Sequence, residues 1–215
     1  MDSPYTKQQI RDALDRAPST PEEDMHWLSG APPEVAARVR ATLTTRRTPA
    51  AVLIPLVERN TGMTVLLTQR ATTLKDHAGQ ISFPGGRIEP QDADAWHAAL
   101  RETFEEIGLS AELVEFAGYL PDHVVVSGFR VTPAVGFVRP RYELQIATAE
   151  VHDVFEVALD FILNAANHKS RSRKIGAMSI EVHDIPYGER NIWGATAGML
   201  MTFRRLLQER TVKAS

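Results

Sequence analysis

The stretch that decides the reading is Gly85-Gly86-Arg87-Ile88-Glu89-Pro90, followed by Arg101-Glu102-Thr103-Phe104-Glu105-Glu106-Ile107-Gly108, or GGRIEP and RETFEEIG. It sets Glu102, Glu105 and Glu106 close together soon after a double glycine. Like charges at helical spacing repel by about 0.2–0.5 kcal/mol per pair. Something must offset that cost. A divalent cation is one answer and bulk water is the other.

The segment DADAWHAALRETFEEIG, residues 92–108, carries helical signals. Asp92 is placed to N-cap it by accepting bonds from the first free amides. Gly108 is placed to end it in the left-handed conformation. At about 100° per residue, Trp96, Ala99, Leu100, Thr103 and Ile107 form a core stripe. Glu102, Glu105 and Glu106 fall together on the adjoining face. Three carboxylates there suit a hard cation such as Mg²⁺ or Mn²⁺ rather than Zn²⁺. The helix alone leaves the second reading open, a solvated acidic face.

The rest of the composition narrows the field. The chain has 215 residues, 43% hydrophobic and 24% charged, with a formal net charge of -3. That is one full-sized core, not obviously two domains. Nothing in the global charge points to nucleic acid or an anionic membrane. There are no cysteines, which excludes disulfides, thiolate metal sites and cysteine nucleophiles. The N-terminus MDSPYTKQQIRDALD shows no secretory pattern. The apolar runs, such as AVLIPLV from Ala51, are too short to span a bilayer. The expected location is cytoplasmic, and a homodimer stays open.

Texture divides the chain near residue 48. IRDALDRA and PPEVAARVRATL have helical periodicity, so residues 1–48 are expected as a helical extension packed on the main domain, residues 49–215. Packing is preferred there because Trp27 and Leu28 would otherwise be exposed. Beyond it, AAVLIPLVE and MTVLLTQ read as a hairpin-like pair of strands turned at Asn60 and Gly62. ISF, LVEFAGYL, VTPAVGFV and AMSIEVHDI read as further strands. Helices are expected near Leu159–Leu163 and along WGATAGMLMTFRRLLQER, whose large apolar residues read as core. The fold class is α/β, a mixed sheet sandwiched between helices, since no regular βαβ alternation supports a doubly wound sheet.

The segment Gly86 to Leu109 resembles the Nudix box, G-x5-E-x7-R-E-U-x-E-E-x-G-U with U apolar. Gly86 matches the first glycine. Arg101, Glu102, Glu105, Glu106, Gly108 and Leu109 match the second half. Asp92 stands at the middle acidic position, with one extra residue before Arg101, and Thr103 replaces an apolar residue. The preceding LLTQRATTLKDHAGQISFPGG, Leu66 to Gly86, resembles the coenzyme A pyrophosphatase subgroup, which carries the same longer box with Asp. EVHDVFEVAL and NIWGATAGML resemble its later segments, with Ala158 where proline is common.

The resemblance implies a Nudix-type fold and metal-dependent attack of water on phosphorus. Glu102, Glu105 and Glu106 would hold Mg²⁺ or Mn²⁺, with a main-chain carbonyl of Gly86 or Gly85 as a further ligand. Arg101 would orient a glutamate. The general base is sought in a later acidic loop, at Glu150 with Asp153 second, or at Glu102 itself. Arg70, Lys75, His77 and Arg87 are the substrate-binding candidates, with Arg70 or Lys75 proposed to read a 3′-phosphate. The implied reaction cleaves coenzyme A, or an acyl derivative, to 3′,5′-ADP and 4′-phosphopantetheine or its acyl form. ADP-ribose or another nucleoside diphosphate derivative is the alternative substrate. A ligand-binding sensor without catalysis is the alternative class.

Overall fold

The run AVLIPLV is apolar on both strand faces, the pattern of a central strand covered on two sides. In the computed structural model it forms the middle of β1, Thr48–Arg59. The structure describes residues 5–17, 33, 34, 37, 47–74, 76–125, 128–175 and 178–209. Side chains along β1 alternate between two cores. Ala50, Ile54 and Leu56 join one, and Ala51, Leu53 and Val57 join the other.

Around β1 lie β2 (Gly62–Arg70), β3 (Ile81–Ser82), β4 (Gly85–Arg87), β5 (Val114–Tyr119), β6 (His123–Val124), β7 (Phe129–Val138) and β8 (Val151–Ala158). β1 runs parallel to β7 and antiparallel to β2 and β4. The sheet is therefore mixed, as expected from sequence. β4 pairs with β1 at Ala50–Val52, and β2 takes over from Leu56. Pro55 falls in the gap between them, where a missing N–H costs least. A second, antiparallel sheet holds β9 (Lys169–Ile175), β10 (Met178–Tyr187) and β11 (Arg190–Trp193).

One face of the large sheet is covered by α2, Ala95–Ile107, through Ala98, Ala99 and Ile107. The other is covered by α1 (Lys7–Leu14), α3 (Leu159–Leu163) and α4 (Ala195–Gln208), through Ile10, Ile162 and Phe203 among others. Thr6 caps α1 with a reciprocal box to Gln9, a sequence-local device. The first expected N-terminal helix is thus present. Most of PPEVAARVRATL, together with Trp27 and Leu28, lies outside the described residues. Met199 and Phe203 of α4 are core, as expected.

Candidate active site

The expected start of α2 needs correction. Asp94, not Asp92, is the N-cap, accepting from the His97 amide at 2.9 Å. Asp92 is drawn elsewhere. Its carboxylate accepts from the Glu89 amide at 2.8 Å and from Arg101. The far end is as expected: Gly108 caps it with φ 71°.

Arg101 ties the surrounding groups together. Nε and Nη2 donate to the two oxygens of Asp92, each at 3.0 Å. Nη1 donates to Glu102 at 3.0 Å and to Glu105 at 3.1 Å. Nη2 also reaches the carbonyl of Arg87 at 3.0 Å. The hydrogen bonds from Arg101 hold the Asp92 carboxyl below its ordinary range.

The three glutamates sit differently from one another. Glu105 is exposed, with 57% of its side chain accessible. Glu102 lies against the turn before the helix. A Cβ on Gly86 would come within 2.4 Å of its carboxylate carbon, so only glycine leaves that carboxylate where it stands. Burial raises the Glu102 pKa, Arg101 opposes this, and the charges of Glu105 and Glu150 add to it.

Glu106 is buried, at 5% exposure, which parts it from the exposed Glu105 expected beside it on the face adjoining the core stripe. Seven residues from Ala99 brings the helix to within about 20° of the same direction, so Glu106 follows the core stripe inward. Its Oε2 has no hydrogen-bond partner among the described residues. Burial pushes its pKa up to about 8; the Arg70 guanidinium and a backbone contact from Gly85 pull the other way, while Glu102 and Glu150 reinforce the rise.

Glu150 therefore shares its field with both Glu102 and Glu106. Three backbone bonds bring it there. The amides of Gln145 and Ala147 donate to the carbonyls of Ile107 and Glu106, both at 2.9 Å. The Ala71 amide donates to the Glu150 carbonyl at 2.8 Å. Asp153 is engaged apart from this group, by an ion pair with Arg190.

Arg70 ends β2 at a register shift, where Gln69 pairs with Asp153 but Arg70 pairs with Val151. Its Nε is buried and has no hydrogen-bond partner among the described residues. His77 is exposed in the loop beyond, in the left-handed region at φ 58°, with Nδ1 2.9 Å from Gln80 Oε1. Arg87 points its guanidinium over the Phe129 ring at 5.6 Å. Lys75 lies outside the described residues. Sequence alone points neither to the pairing of Asp92 with Arg101 nor to the open Nε of Arg70. The spacing from Asp92 to Arg101 was the only trace of the former.

Among the described residues, no three His, Asp or Glu side chains are gathered as a ready-made metal cage. The donor set nonetheless fits a hard divalent cation. Carboxylate oxygens dominate it, one of them is buried and unpartnered, and Gly86 has no Cβ to displace the Glu102 carboxylate that lies against it. No helix among the described residues is long and apolar enough to cross a membrane.

Residues 46–177 match the NUDIX domain family model. Over 158 residues the chain is 40% identical to a protein of Citrobacter koseri named uncharacterized Nudix hydrolase NudL, covering 73% of this chain and 81% of that one. A protein of the same name from Escherichia coli K12 is 40% identical over 162 residues, covering 75% and 82%. A solved structure of a MutT protein from Methanosarcina mazei Go1 is similar at 19% identity and TM-score 0.49, covering 76% of this chain and 94% of that chain. With the carboxylate helix seated against its glycine turn, and with relatives alike over most of both chains, this chain belongs to the Nudix hydrolase family.

Proposed function

We propose that the protein hydrolyses the pyrophosphate bond of coenzyme A and its acyl derivatives, giving 3′,5′-ADP and 4′-phosphopantetheine or its acyl form. The observation that carries the hydrolytic reading is Glu106 Oε2, buried and unpartnered beside Glu102 and the Gly85–Gly86 turn. A buried carboxylate with an open oxygen is costly unless it is protonated or a cation meets it. The coenzyme A reading is supported by the resemblance of residues 66–86 to that subgroup.

Nudix hydrolases generally use Mg²⁺ or Mn²⁺. Glu102, Glu105 and Glu106 would hold the ion, with the Gly86 carbonyl beside them. When bound, it neutralises phosphate charge and acidifies water. The protein's own groups do the rest. Arg101 fixes Glu102 from one side while Asp92 fixes Arg101. Glu150, whose charge acts on both Glu102 and Glu106, accepts the proton of the attacking water. Water oxygen bonds to phosphorus and the bridging P–O bond breaks. Glu105 is exposed enough to turn from Arg101 towards the ion. His77 and Arg87, with Lys75, are candidates for the rest of the substrate.

The test is product analysis with purified protein and Mg²⁺ on coenzyme A, dephospho-coenzyme A and ADP-ribose. The expected result is release of 3′,5′-ADP, with the highest kcat/KM for coenzyme A. Faster cleavage of ADP-ribose would move the substrate to the nucleoside diphosphate class. Binding without turnover would make the protein a sensor, a role that does not require a complete glutamate set.

A further inference from the structure

The segment that carries the chain from β7 to β8, residues 139–150, lies across the end of the carboxylate helix. The amides of Gln145 and Ala147 donate to the carbonyls of Ile107 and Glu106, each at 2.9 Å. Those carbonyls belong to the last turn of α2, where a helix has no partners of its own. The fit is close: a Cβ on Gly108 would come within 2.8 Å of the Gln145 backbone nitrogen. Glu106 is thus held through its backbone by the same segment that carries Glu150.

The near end of this segment is anchored by a polar cluster that plays no part in the chemistry above. Arg59 closes β1, at the far end of that strand from the residues that pair with the glycine turn. Its Nε donates to Glu156 at 3.0 Å, and its Nη2 donates to Glu156 and, at 2.9 Å, to the Tyr142 hydroxyl. Tyr142 donates onward to Glu156, which also accepts from Thr64. Arg59 Nη1 donates to the Pro140 carbonyl at 2.9 Å. Joining the strands requires neither Tyr142 nor Pro140, because β1, β2 and β8 are already paired in the sheet. Two bonds from Arg59 end instead on the crossing segment. Tyr142 and Leu144 then pack it against the core that holds Ala98, Ala99 and Ile107 of α2.

We infer that Tyr142, held by Arg59 and Glu156, is a positioning residue: it fixes residues 139–150 against the last turn of α2, and through them the placement of Glu106 and Glu150. The path is short and made of hydrogen bonds, from Tyr142 to Gln145 on Ile107 and Ala147 on Glu106. A small misplacement of a positioned group is costly in rate. The placement of Glu106 is a property of the fold, and only its effect on turnover rests on the hydrolase reading above.

The test uses Tyr142→Phe, which keeps the ring and removes the hydroxyl, and Arg59→Lys, which keeps a charge beside Glu156 and loses the fork. Amide hydrogen exchange, Mn²⁺ affinity, and kcat and KM on coenzyme A are compared with wild type, with folding checked by thermal unfolding. The Gln145 and Ala147 amides are expected to exchange roughly threefold to tenfold faster, the worth of a lost hydrogen bond, while those of α1 keep their rates. Mn²⁺ affinity, kcat or both should fall by roughly threefold to thirtyfold, with KM little changed. Unchanged exchange at Gln145 and Ala147, or a rise spread evenly over the chain, would overturn the inference. So would faster exchange there with wild-type Mn²⁺ affinity and kcat, or a loss confined to KM. If Tyr142→Phe does not fold, Arg59→Lys decides by the same measures, and failure of both to fold would make the cluster purely structural. If wild type does not cleave coenzyme A, the hydrolase reading fails separately, and exchange together with Mn²⁺ affinity decides for Tyr142.

Discussion

Asp92 and Arg101 face each other through two parallel hydrogen bonds of 3.0 Å, closing a planar fork on a carboxylate that is only 4% exposed. Arg101 in turn holds Glu102 and Glu105. Asp92 therefore acts on the site through Arg101. Asp92→Asn should lower kcat roughly tenfold to a hundredfold with little change in KM. It should also cost about 2–3 kcal/mol of stability, less than a fully buried pair. Steady-state kinetics and thermal unfolding check both. An unchanged kcat in a destabilised protein would make the pair purely structural.

Gly86→Ala should separate activity from stability. The backbone tolerates alanine there, but its Cβ would sit 2.4 Å from the Glu102 carboxylate carbon, the far end of a flexible side chain. Glu102 can move aside, so stability should change by less than about 1 kcal/mol. The rate should fall by more than about tenfold, because a small displacement of a positioned group is expensive. Retained activity would show that the Glu102 position is not critical.

Glu150 and Asp153 should behave differently. Glu150 shares its field with Glu102 and Glu106, while Asp153 is paired with Arg190. Glu150→Gln should lower kcat by on the order of a hundredfold to ten-thousandfold, the range of general base catalysis, and flatten the acidic limb of the pH–rate profile. Asp153→Asn should leave that profile in place. If neither variant alters it, Glu102 becomes the base.

These residues also mark what sequence could and could not convey. The β1–β2 hairpin and the left-handed cap at Gly108 follow from local patterns, apolar runs and a turn glycine. Glu102 against Gly86 was foreshadowed by the glycine pair. The burial of Glu106 was less plain, because its charge argued for a surface place while its angular position led inward. The strands β4, β6, β8, β9 and β11 are not among those expected from sequence. The KSRSRK run of β9 has no apolar alternation to announce a strand, and its pairing with β10 is a tertiary fact. Arg101 joining Asp92 across nine positions depends on the path of the loop, which no helical period encodes.

Away from the site, Glu156 gives a pH prediction. Burial raises its pKa, yet hydrogen bonds from Arg59, Thr64 and Tyr142 outweigh this and hold it at about 2, against 4.5 for the ordinary group. Because the folded value is depressed, its stabilisation is fully present above about pH 4.5 and is lost as pH falls through about 2. The contribution has a ceiling of about 3 kcal/mol. Denaturant unfolding of wild type and Glu156→Gln should show the largest gap at neutral pH, closing between about pH 4.5 and 2. A gap that is constant with pH would mean that the Glu156 charge is not what stabilises the strand.

The most direct test is to titrate Mn²⁺ into wild type and Glu106→Gln, following the free ion by electron paramagnetic resonance, and to measure coenzyme A turnover on the same samples. Glu106→Gln should remain folded, bind Mn²⁺ at least about tenfold more weakly, and lose on the order of a thousandfold in kcat, about 4 kcal/mol of barrier. A folded variant that binds Mn²⁺ as tightly as wild type and loses less than about fivefold in kcat, roughly 1 kcal/mol, would contradict a metal centre anchored on Glu106.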